Sequence, residues 1–117
     1  MNKTLKRAIE KFNNAHYFEC HDILEDYWYE CGKGEKDFYQ GLLHYAVAFH
    51  HLIDKNNPEG AKLQFKKCIK RLKNYGEIHN GIDITKILKT SNEYLTQLNE
   101  GKTGKNDMPR IYGINDR

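Results

Sequence analysis

The side chains best suited to chemistry in this chain are His21 and Glu25, which lie one helical turn apart at the edge of an apolar helical stripe. A buried imidazole or carboxylate must find partners or lower the stability of the fold. We therefore expect these two side chains to belong to a hydrogen-bonded structural network or to a functional site. The apolar stripe consists of Tyr17, Cys20, Leu24, Tyr27, Trp28 and Cys31. The opposite, acidic face consists of Glu19, Asp22, Asp26 and Glu30.

The next predicted helix carries a second polar stripe, formed by Gln40, His44 and His51. The link between the two helices is short, so we expect them to pack antiparallel, with residue numbers that sum to about 65 at each level. This register brings Gln40 level with Glu25 and His44 level with His21. If the two polar edges face each other, these four residues form one cluster; if they do not, no cluster exists.

Two imidazoles and a carboxylate from facing helices could hold zinc, iron or manganese and leave a position for water. A metal-dependent hydrolase that uses His21 and Glu25 is therefore one hypothesis. The alternative, which we favour, is a structural network in which Glu25 fixes the His21 tautomer and Gln40 completes the hydrogen bonds. Helical two-metal sites usually repeat a Glu-x-x-His motif, whereas the nearest match here is Glu19 with Asp22. We expect no cofactor, and a divalent metal is the alternative.

Two adjacent histidines, His50 and His51, follow on the same helix. Neighbouring positions of an α-helix diverge by about 100°, so at most one of them should face the cluster. We expect the other on the surface, near the negative end of the helix. Cys20 is equally badly placed to be activated by His21, and no nucleophile, Walker A or dinucleotide motif is present.

A basic stripe lies on the fourth predicted helix, where it could attract a phosphate-bearing partner. No aromatic residue interleaves with it, so nucleic-acid binding is only a weak alternative to a solvated cationic face. The acidic face of the second helix could pair with a basic surface, which leaves a protein partner or a homodimer open. The basic stripe consists of Lys62, Lys66, Lys70 and Lys73, flanked by Lys67 and Arg71.

Helical periodicity predicts an all-α, single-domain bundle of about five helices, packed as antiparallel αα-hairpins over residues 1–100. No convincing strand pattern is present, and residues 101–117 are expected to form a coil tail. Four apolar residues of this tail could dock on the bundle: Met108, Ile111, Tyr112 and Ile114. The helices are expected at about 4–14, 16–31 and 35–54, from the Asn57 cap to near Gly76, and from the Gly81–Asp83 turn to Gly101.

Composition narrows the class of protein further. The chain has 117 residues, of which 38% are hydrophobic and 30% charged, with no apolar run long enough for a membrane span. The first residues contain no apolar segment of a secretion signal, so the cytoplasm is the expected compartment. Three cysteines form no CxxC pair, and Cys20 and Cys31 lie about 16 Å apart on one helix, so we expect free thiols. The net charge of +3 decides nothing alone.

The motifs FNxxxYFExHxxLExxW (residues 12–28), QGL (40–42), HHL (50–52) and NPEGA (57–61) resemble the domain of unknown function 309 family of small prokaryotic and plastid proteins. The resemblance covers about residues 5–75 and implies an all-α bundle without an established activity. Cys20 stands where the family usually has alanine, which implies a small packed position. His44 stands where glutamine is expected, which argues against a metal site shared by the family. The matching polar and aromatic positions are Glu19, His21, Asp22, Glu25, Trp28, Gln40 and His50.

Overall fold

Apolar residues repeat at helical spacing along most of the chain, and five α-helices result. The structure is a computed structural model that describes residues 1–102 and 109–113. The all-α class and the bundle of five helices are confirmed. The helices are α1 (Lys3–Asn13), α2 (Tyr17–Glu30), α3 (Lys36–Phe49), α4 (Pro58–Leu72) and α5 (Ile84–Asn99).

Side-chain caps fix where three of these helices begin. Asn2 Oδ1 accepts from the Leu5 amide at 2.7 Å at the start of α1. Asn57 accepts from the Gly60 amide at 3.0 Å, and Pro58 follows as the first residue of α4. Asp83 Oδ1 accepts from the Lys86 amide at 3.0 Å at the start of α5. These three caps satisfy amides that have no partner inside the helix, and the Asn57 cap was predicted from the sequence.

Each α-helix packs against the next one in the chain, and α3 lies in the middle of the bundle. An aromatic cluster ties all five helices together, because the buried Phe49 ring at the end of α3 contacts a ring from every other helix. The centroid distances from Phe49 are 5.7 Å to Phe12, 5.9 Å to Tyr17, 5.1 Å to Tyr45, 5.1 Å to Phe65 and 5.0 Å to Tyr94.

The packing of α2 on α3 has the register expected from their short link. The rings of Tyr17 and Phe49 lie 5.9 Å apart, and those of Tyr27 and Tyr39 lie 4.8 Å apart. Both pairs sum to 66, close to the expected 65. The residues of α2 and α3 therefore lie at the expected levels along the two helices.

The third helix was expected to run to Asp54, but its α-helical part ends at Phe49. It changes after Phe49 into a π-helical segment, His50–Asp54, in which the Lys55 amide donates to the His50 carbonyl at 3.1 Å. π-Helical segments are rare in proteins, and those that exist frequently lie at functional sites. Helix α4 also ends earlier than expected, at Leu72 rather than near Gly76.

The expectation of no strands is wrong for a short segment before α5. Strands β1 (Ile78–His79) and β2 (Ile82–Asp83) form an antiparallel hairpin. Asn80 and Gly81 turn the chain with positive φ angles of 49° and 78°. An Asn-Gly pair adopts such a turn at low cost and is the strongest short-range hairpin signal, so the sequence did contain this information.

Part of the predicted tail is docked on the bundle. Ile111 is 2% exposed, and its amide donates to Asn13 Oδ1 at 2.8 Å. The Asp83 amide donates to the Tyr112 carbonyl at 2.9 Å, and Gly113 pairs with Ile82. Met108 and Ile114 lie outside the described residues. Within the described ranges, no helix has the length and hydropathy that a bilayer crossing requires.

Candidate functional site

His21 and Glu25 lie together on α2, but they are less buried than the sequence analysis expected. His21 Nε2 is 3.1 Å from Glu25 Oε2, and Nδ1 is 3.3 Å from Asp22 Oδ1. The side chains of His21 and Glu25 are 21% and 43% exposed. Both helices pack through larger aromatic side chains, which leaves this polar edge at the rim of the interface rather than inside it.

The expected cluster of four does not form. His44 Nδ1 donates instead to Gln64 Oε1 on α4, at 2.7 Å. Among the described residues, no hydrogen bond joins Gln40 to His21 or Glu25. The register of α2 against α3 is the expected one, but the His44 side chain faces α4 rather than α2. Burial lowers the pKa of His44 below its ordinary value, with further lowering by nearby positive charges that include His21, while the bond to Gln64 opposes the shift.

A cavity of about 280 Å³ lies between α2 and the π-helical segment. Phe18 of α2, which is 54% exposed, stands beside it, with ring centroids 5.6 Å from His21 and 5.3 Å from His50. We call this cavity the histidine pocket, since three of its five lining residues are histidines. It is lined by Phe18, His21, Val47, His50 and His51.

Both His50 and His51 line the histidine pocket, which corrects the expectation that at most one of them could face a common target. Their ring centroids are 6.2 Å apart. The expectation assumed an α-helix. In a π-helical segment the hydrogen bonds run from i to i+5, so successive side chains diverge less around the axis. The change of helix type therefore puts two neighbouring imidazoles on one cavity.

The imidazoles of the π-helical segment have different environments. His50 Nδ1 donates to Asp54 Oδ2 at 2.9 Å, which orients the ring. Burial and the neighbouring His50 lower the pKa of His51, which favours a neutral ring. The start of α4 packs on His51, since a Cβ at Gly60 would lie 3.1 Å from its Cγ. Gly60 is therefore required for this close approach.

Two of the residues that line this pocket have a buried polar atom without a hydrogen-bond partner. Native proteins pair nearly all buried polar atoms, and an unpaired one costs about 1–3 kcal/mol. His21 and His51 line the pocket, and Tyr17 interacts electrostatically with Asp54 of the π-helical segment. Burial raises the pKa of Tyr17 to about 12, so its hydroxyl stays protonated. In the described part of the chain, the four buried side-chain atoms without a hydrogen bond are Tyr17 Oη, His21 Nδ1, His51 Nδ1 and Trp28 Nε1. His21 Nδ1 lies 3.3 Å from Asp22 Oδ1, but this contact is not a hydrogen bond.

A second arrangement lies on the solvent side of the same histidine. His21, Asp22 and Glu25 each offer one ligand atom, and these atoms lie within 4.8 Å of one another. One imidazole and two carboxylates suit zinc, manganese or iron. The side chains come from a single helix and are partly exposed, so the arrangement is open to water and to exchange of a bound ion.

The secondary candidates lie apart from the histidine pocket, with the exception of His50. Glu19 pairs with Lys11 at 2.8 Å, and this lysine holds the pKa of the exposed carboxyl below its usual range. The Trp28 ring lies under the Lys36 ammonium, 4.5 Å from the ring centroid. On the basic stripe, Lys62 pairs with Glu59 at 3.0 Å. The remaining lysines of the stripe, Lys66, Lys70 and Lys73, are exposed.

Three residues of this region were missed as site residues by the sequence analysis: Phe18, Val47 and Asp54. Phe18 could have been found, because an aromatic residue on the polar side of an amphipathic helix is unusual. Val47 is predicted to be an ordinary core residue, because it lies in a helix that is apolar nearly all round. Asp54 lies four residues after His50, a spacing at which helical side chains meet, so this pair could also have been found from the sequence.

The comparisons with known proteins find a family of unknown function and uncharacterized relatives. The model of the family described as a domain of unknown function (DUF309) matches residues 5–63. Among curated proteins, the chain is 41% identical over 65 residues to the uncharacterized protein YpuF of Bacillus subtilis (strain 168). It is also 30% identical over 84 residues to an uncharacterized protein of Aquifex aeolicus (strain VF5).

These matches cover 55% and 71% of this chain but only 37% and 25% of the two relatives. The chain therefore spans well under half the length of the relatives that it matches. The family model covers α1, α2, α3, the π-helical segment and the start of α4, which are the elements that build the histidine pocket. On this match, the chain belongs to the DUF309 family.

Proposed function

We propose that this chain is a small binding module and that the histidine pocket is its ligand site. One observation carries the proposal: His21 and His51, which line this cavity, each have a buried Nδ1 without a hydrogen-bond partner. A group that pairs with such atoms recovers the free energy that they lose on burial. The π-helical segment supports the same assignment, because these segments recur at functional sites.

The chemistry of the pocket suggests a small, mostly apolar ligand that donates a hydrogen bond. Phe18 and Val47 supply apolar walls, and the lowered pKa of His51 keeps a lone pair available on a neutral imidazole. The carboxylates of Glu25 and Asp54 stand behind His21 and His50, so an anionic ligand would be repelled. The volume of about 280 Å³ lies at the lower end for ligand pockets, which limits the ligand to a compact ring or branched chain.

Phenol tests this proposal, because it combines an aromatic body with one O–H donor. Saturable shifts of the amide NMR signals of Phe18, Val47 and His51 are expected on titration. Toluene has nearly the same shape without the donor, so it should bind more weakly, by roughly tenfold if one hydrogen bond to a buried partner is lost. Equal affinity for the two molecules, or no saturable shift with phenol, would contradict the proposal.

A pair of variants localises the binding. Val47→Phe fills the pocket and should abolish the phenol shifts, whereas Leu43→Phe places the same ring one turn earlier on α3, outside the pocket lining. Leu43→Phe should bind phenol as the unchanged protein does. Binding that survives Val47→Phe would show that phenol occupies another place.

Metal binding by His21, Asp22 and Glu25 is a second candidate, and the proximity of their ligand atoms favours it. This metal group would leave coordination positions for water, as a hydrolytic site requires. Elemental analysis of the purified protein, together with titration by zinc and manganese, tests it. Near-stoichiometric metal should disappear in His21→Ala and remain in Asp26→Asn, which changes an exposed carboxylate of the same helix. Metal that remains in His21→Ala would exclude the metal group.

We also propose a reducing compartment, the cytoplasm, as the place where the chain works. The three cysteines, Cys20, Cys31 and Cys68, are free, and two of them are buried in the core. Free buried thiols are typical of proteins from reducing compartments. Fractionation of cells that express the tagged protein tests this assignment, which would be wrong if the protein were recovered outside the cytoplasm.

A further inference from the structure

A second cavity, of about 260 Å³, lies at the other end of α2 from the histidine pocket. Five parts of the chain build it: the residues before α1, the end of α2, the turn before α3, the first turn of α3 and the β-hairpin. Polar groups dominate its lining. We call it the tyrosine pocket, and its chemically relevant residues are Asn2, Tyr27, Cys31, Glu35, Tyr39 and Asn80.

Two phenol hydroxyls of the tyrosine pocket have protons to donate. Asn2 Nδ2 donates to Tyr39 Oη at 3.1 Å and to Tyr27 Oη at 3.4 Å, so both hydroxyl oxygens act as acceptors in these bonds. Each hydroxyl therefore keeps its own O–H for another acceptor. Burial raises the pKa of Tyr39 to about 12, and the hydroxyl remains protonated at neutral pH.

Glu35 supplies a carboxylate to the tyrosine pocket, and Met1, which carries the chain's α-amino group, is also a lining residue. Glu35 has the only charged side chain among the described residues that line it. Its Oε2 accepts from His79 Nε2 at 2.8 Å, which orients the carboxylate and leaves Oε1 available. The last turn of α2 ends at Cys31 on the same cavity, and a helix C-terminus contributes negative partial charge. The Lys36 ammonium donates to the Trp28 carbonyl in the last turn of α2 and offsets part of this charge, so the Glu35 carboxylate is the main negative group of the pocket.

We propose that the tyrosine pocket binds a small amino alcohol or a related molecule in which an ammonium group lies next to a hydroxyl or carbonyl oxygen. The Glu35 carboxylate receives the ammonium group, and the Tyr27 and Tyr39 hydroxyls donate to the neighbouring oxygen. A cation alone would use the carboxylate but leave both hydroxyls without an acceptor. An anion would meet the Glu35 carboxylate, which carries the same sign of charge.

Three probes of nearly equal size separate these requirements: ethanolamine, ethylene glycol and glycolate. Ethanolamine should cause saturable shifts of the amide NMR signals of Tyr27, Glu35 and Tyr39 at constant pH and ionic strength. Ethylene glycol, which lacks the charge, should bind at least about tenfold more weakly, because a hydrogen bond to a charged group is lost. Glycolate should not bind. Equal shifts with all three probes, or none with ethanolamine, would overturn the proposal.

Two variants test the residues that carry the argument. Glu35→Gln should weaken ethanolamine binding at least about tenfold, while Glu30→Gln, which removes an exposed carboxylate at the end of α2, should leave it unchanged. Tyr39→Phe removes one O–H donor and should also weaken binding. If Glu35→Gln does not fold, Tyr39→Phe and the three probes still test whether the tyrosine pocket binds an amino alcohol. Affinity that is the same in both pocket variants as in the unchanged protein would overturn the assignment.

Discussion

Glu25 Oε2 lies 3.1 Å from His21 Nε2, one turn away on α2, and both side chains reach solvent. Exposed pairs at this spacing contribute only about 0.2–0.5 kcal/mol to stability. Glu25→Gln should therefore change the free energy of unfolding by less than about 0.5 kcal/mol in urea denaturation. A loss above about 2 kcal/mol, of the size seen when a buried network is broken, would make this pair structural rather than functional.

The arrangement of α2 and α3 shows how far the sequence could predict the candidate site. The short link set which residues are level, and the pairs Tyr17–Phe49 and Tyr27–Tyr39 follow that register. The rotation of each helix about its own axis depends on how large side chains pack, and the sequence pattern of an almost wholly apolar helix does not specify it. His44 therefore faces Gln64 on α4 instead of His21.

The π-helical segment was beyond prediction for a different reason. Its residues, HHLID, have no Pro or Gly that would mark a change of helix type. The extra residue per turn is stabilised by tertiary packing of Phe49, Leu52 and the start of α4, which is information that only the folded chain contains. The Asn80–Gly81 hairpin, by contrast, could have been predicted from the sequence, because an Asn-Gly pair is a strong hairpin signal.

Gly41 is required where α3 crosses α4. A Cβ at this position would lie 2.5 Å from Cγ and Cδ2 of the buried Leu72. Overpacking of this kind costs about 1–3 kcal/mol, against a gain of up to about 1 kcal/mol in helix propensity. Gly41→Ala should therefore lower the melting temperature. Gly34→Ala, where no heavy atom lies within 4 Å of the new Cβ, should have little effect. Equal melting temperatures for the two variants would contradict this packing.

Stability should depend on pH through two histidines. Burial lowers the folded-state pKa of His44 and His51 below the ordinary value of 6.5. Below that value the unfolded chain binds more protons than the folded chain, so the free energy of unfolding falls as the pH is lowered until the folded-state pKa is passed. Urea denaturation between about pH 5 and pH 7 should show this loss, and the double variant His44→Gln with His51→Gln should show a smaller one. An unchanged pH dependence in the double variant would refute the assignment.

The three thiols should differ sharply in reactivity. Cys20 and Cys68 are fully buried, and burial raises the pKa of both to about 12, whereas Cys31 is partly exposed. Since the thiolate is the reactive form, an aromatic disulfide reagent should modify one thiol quickly in the native protein and all three after unfolding. Cys31→Ser should remove the fast reaction. A second fast thiol in that variant would show that the core opens more readily than its burial implies.

The docking of the C-terminal segment depends on Asn13, which binds both backbone groups of one residue. Asn13 Oδ1 accepts from the Ile111 amide at 2.8 Å, and Nδ2 donates to the Ile111 carbonyl at 3.1 Å. Because Ile111 is buried, Asn13→Ala leaves both groups unpaired and should cost about 1–3 kcal/mol of stability. Hydrogen exchange measures the effect directly: the Ile111 and Asp83 amides should lose protection, since Asp83 donates to the adjacent Tyr112 carbonyl. Asn14→Ala, which changes the exposed neighbouring residue, should keep both amides protected. If protection also persisted in Asn13→Ala, the packing of Ile111 alone would hold the segment.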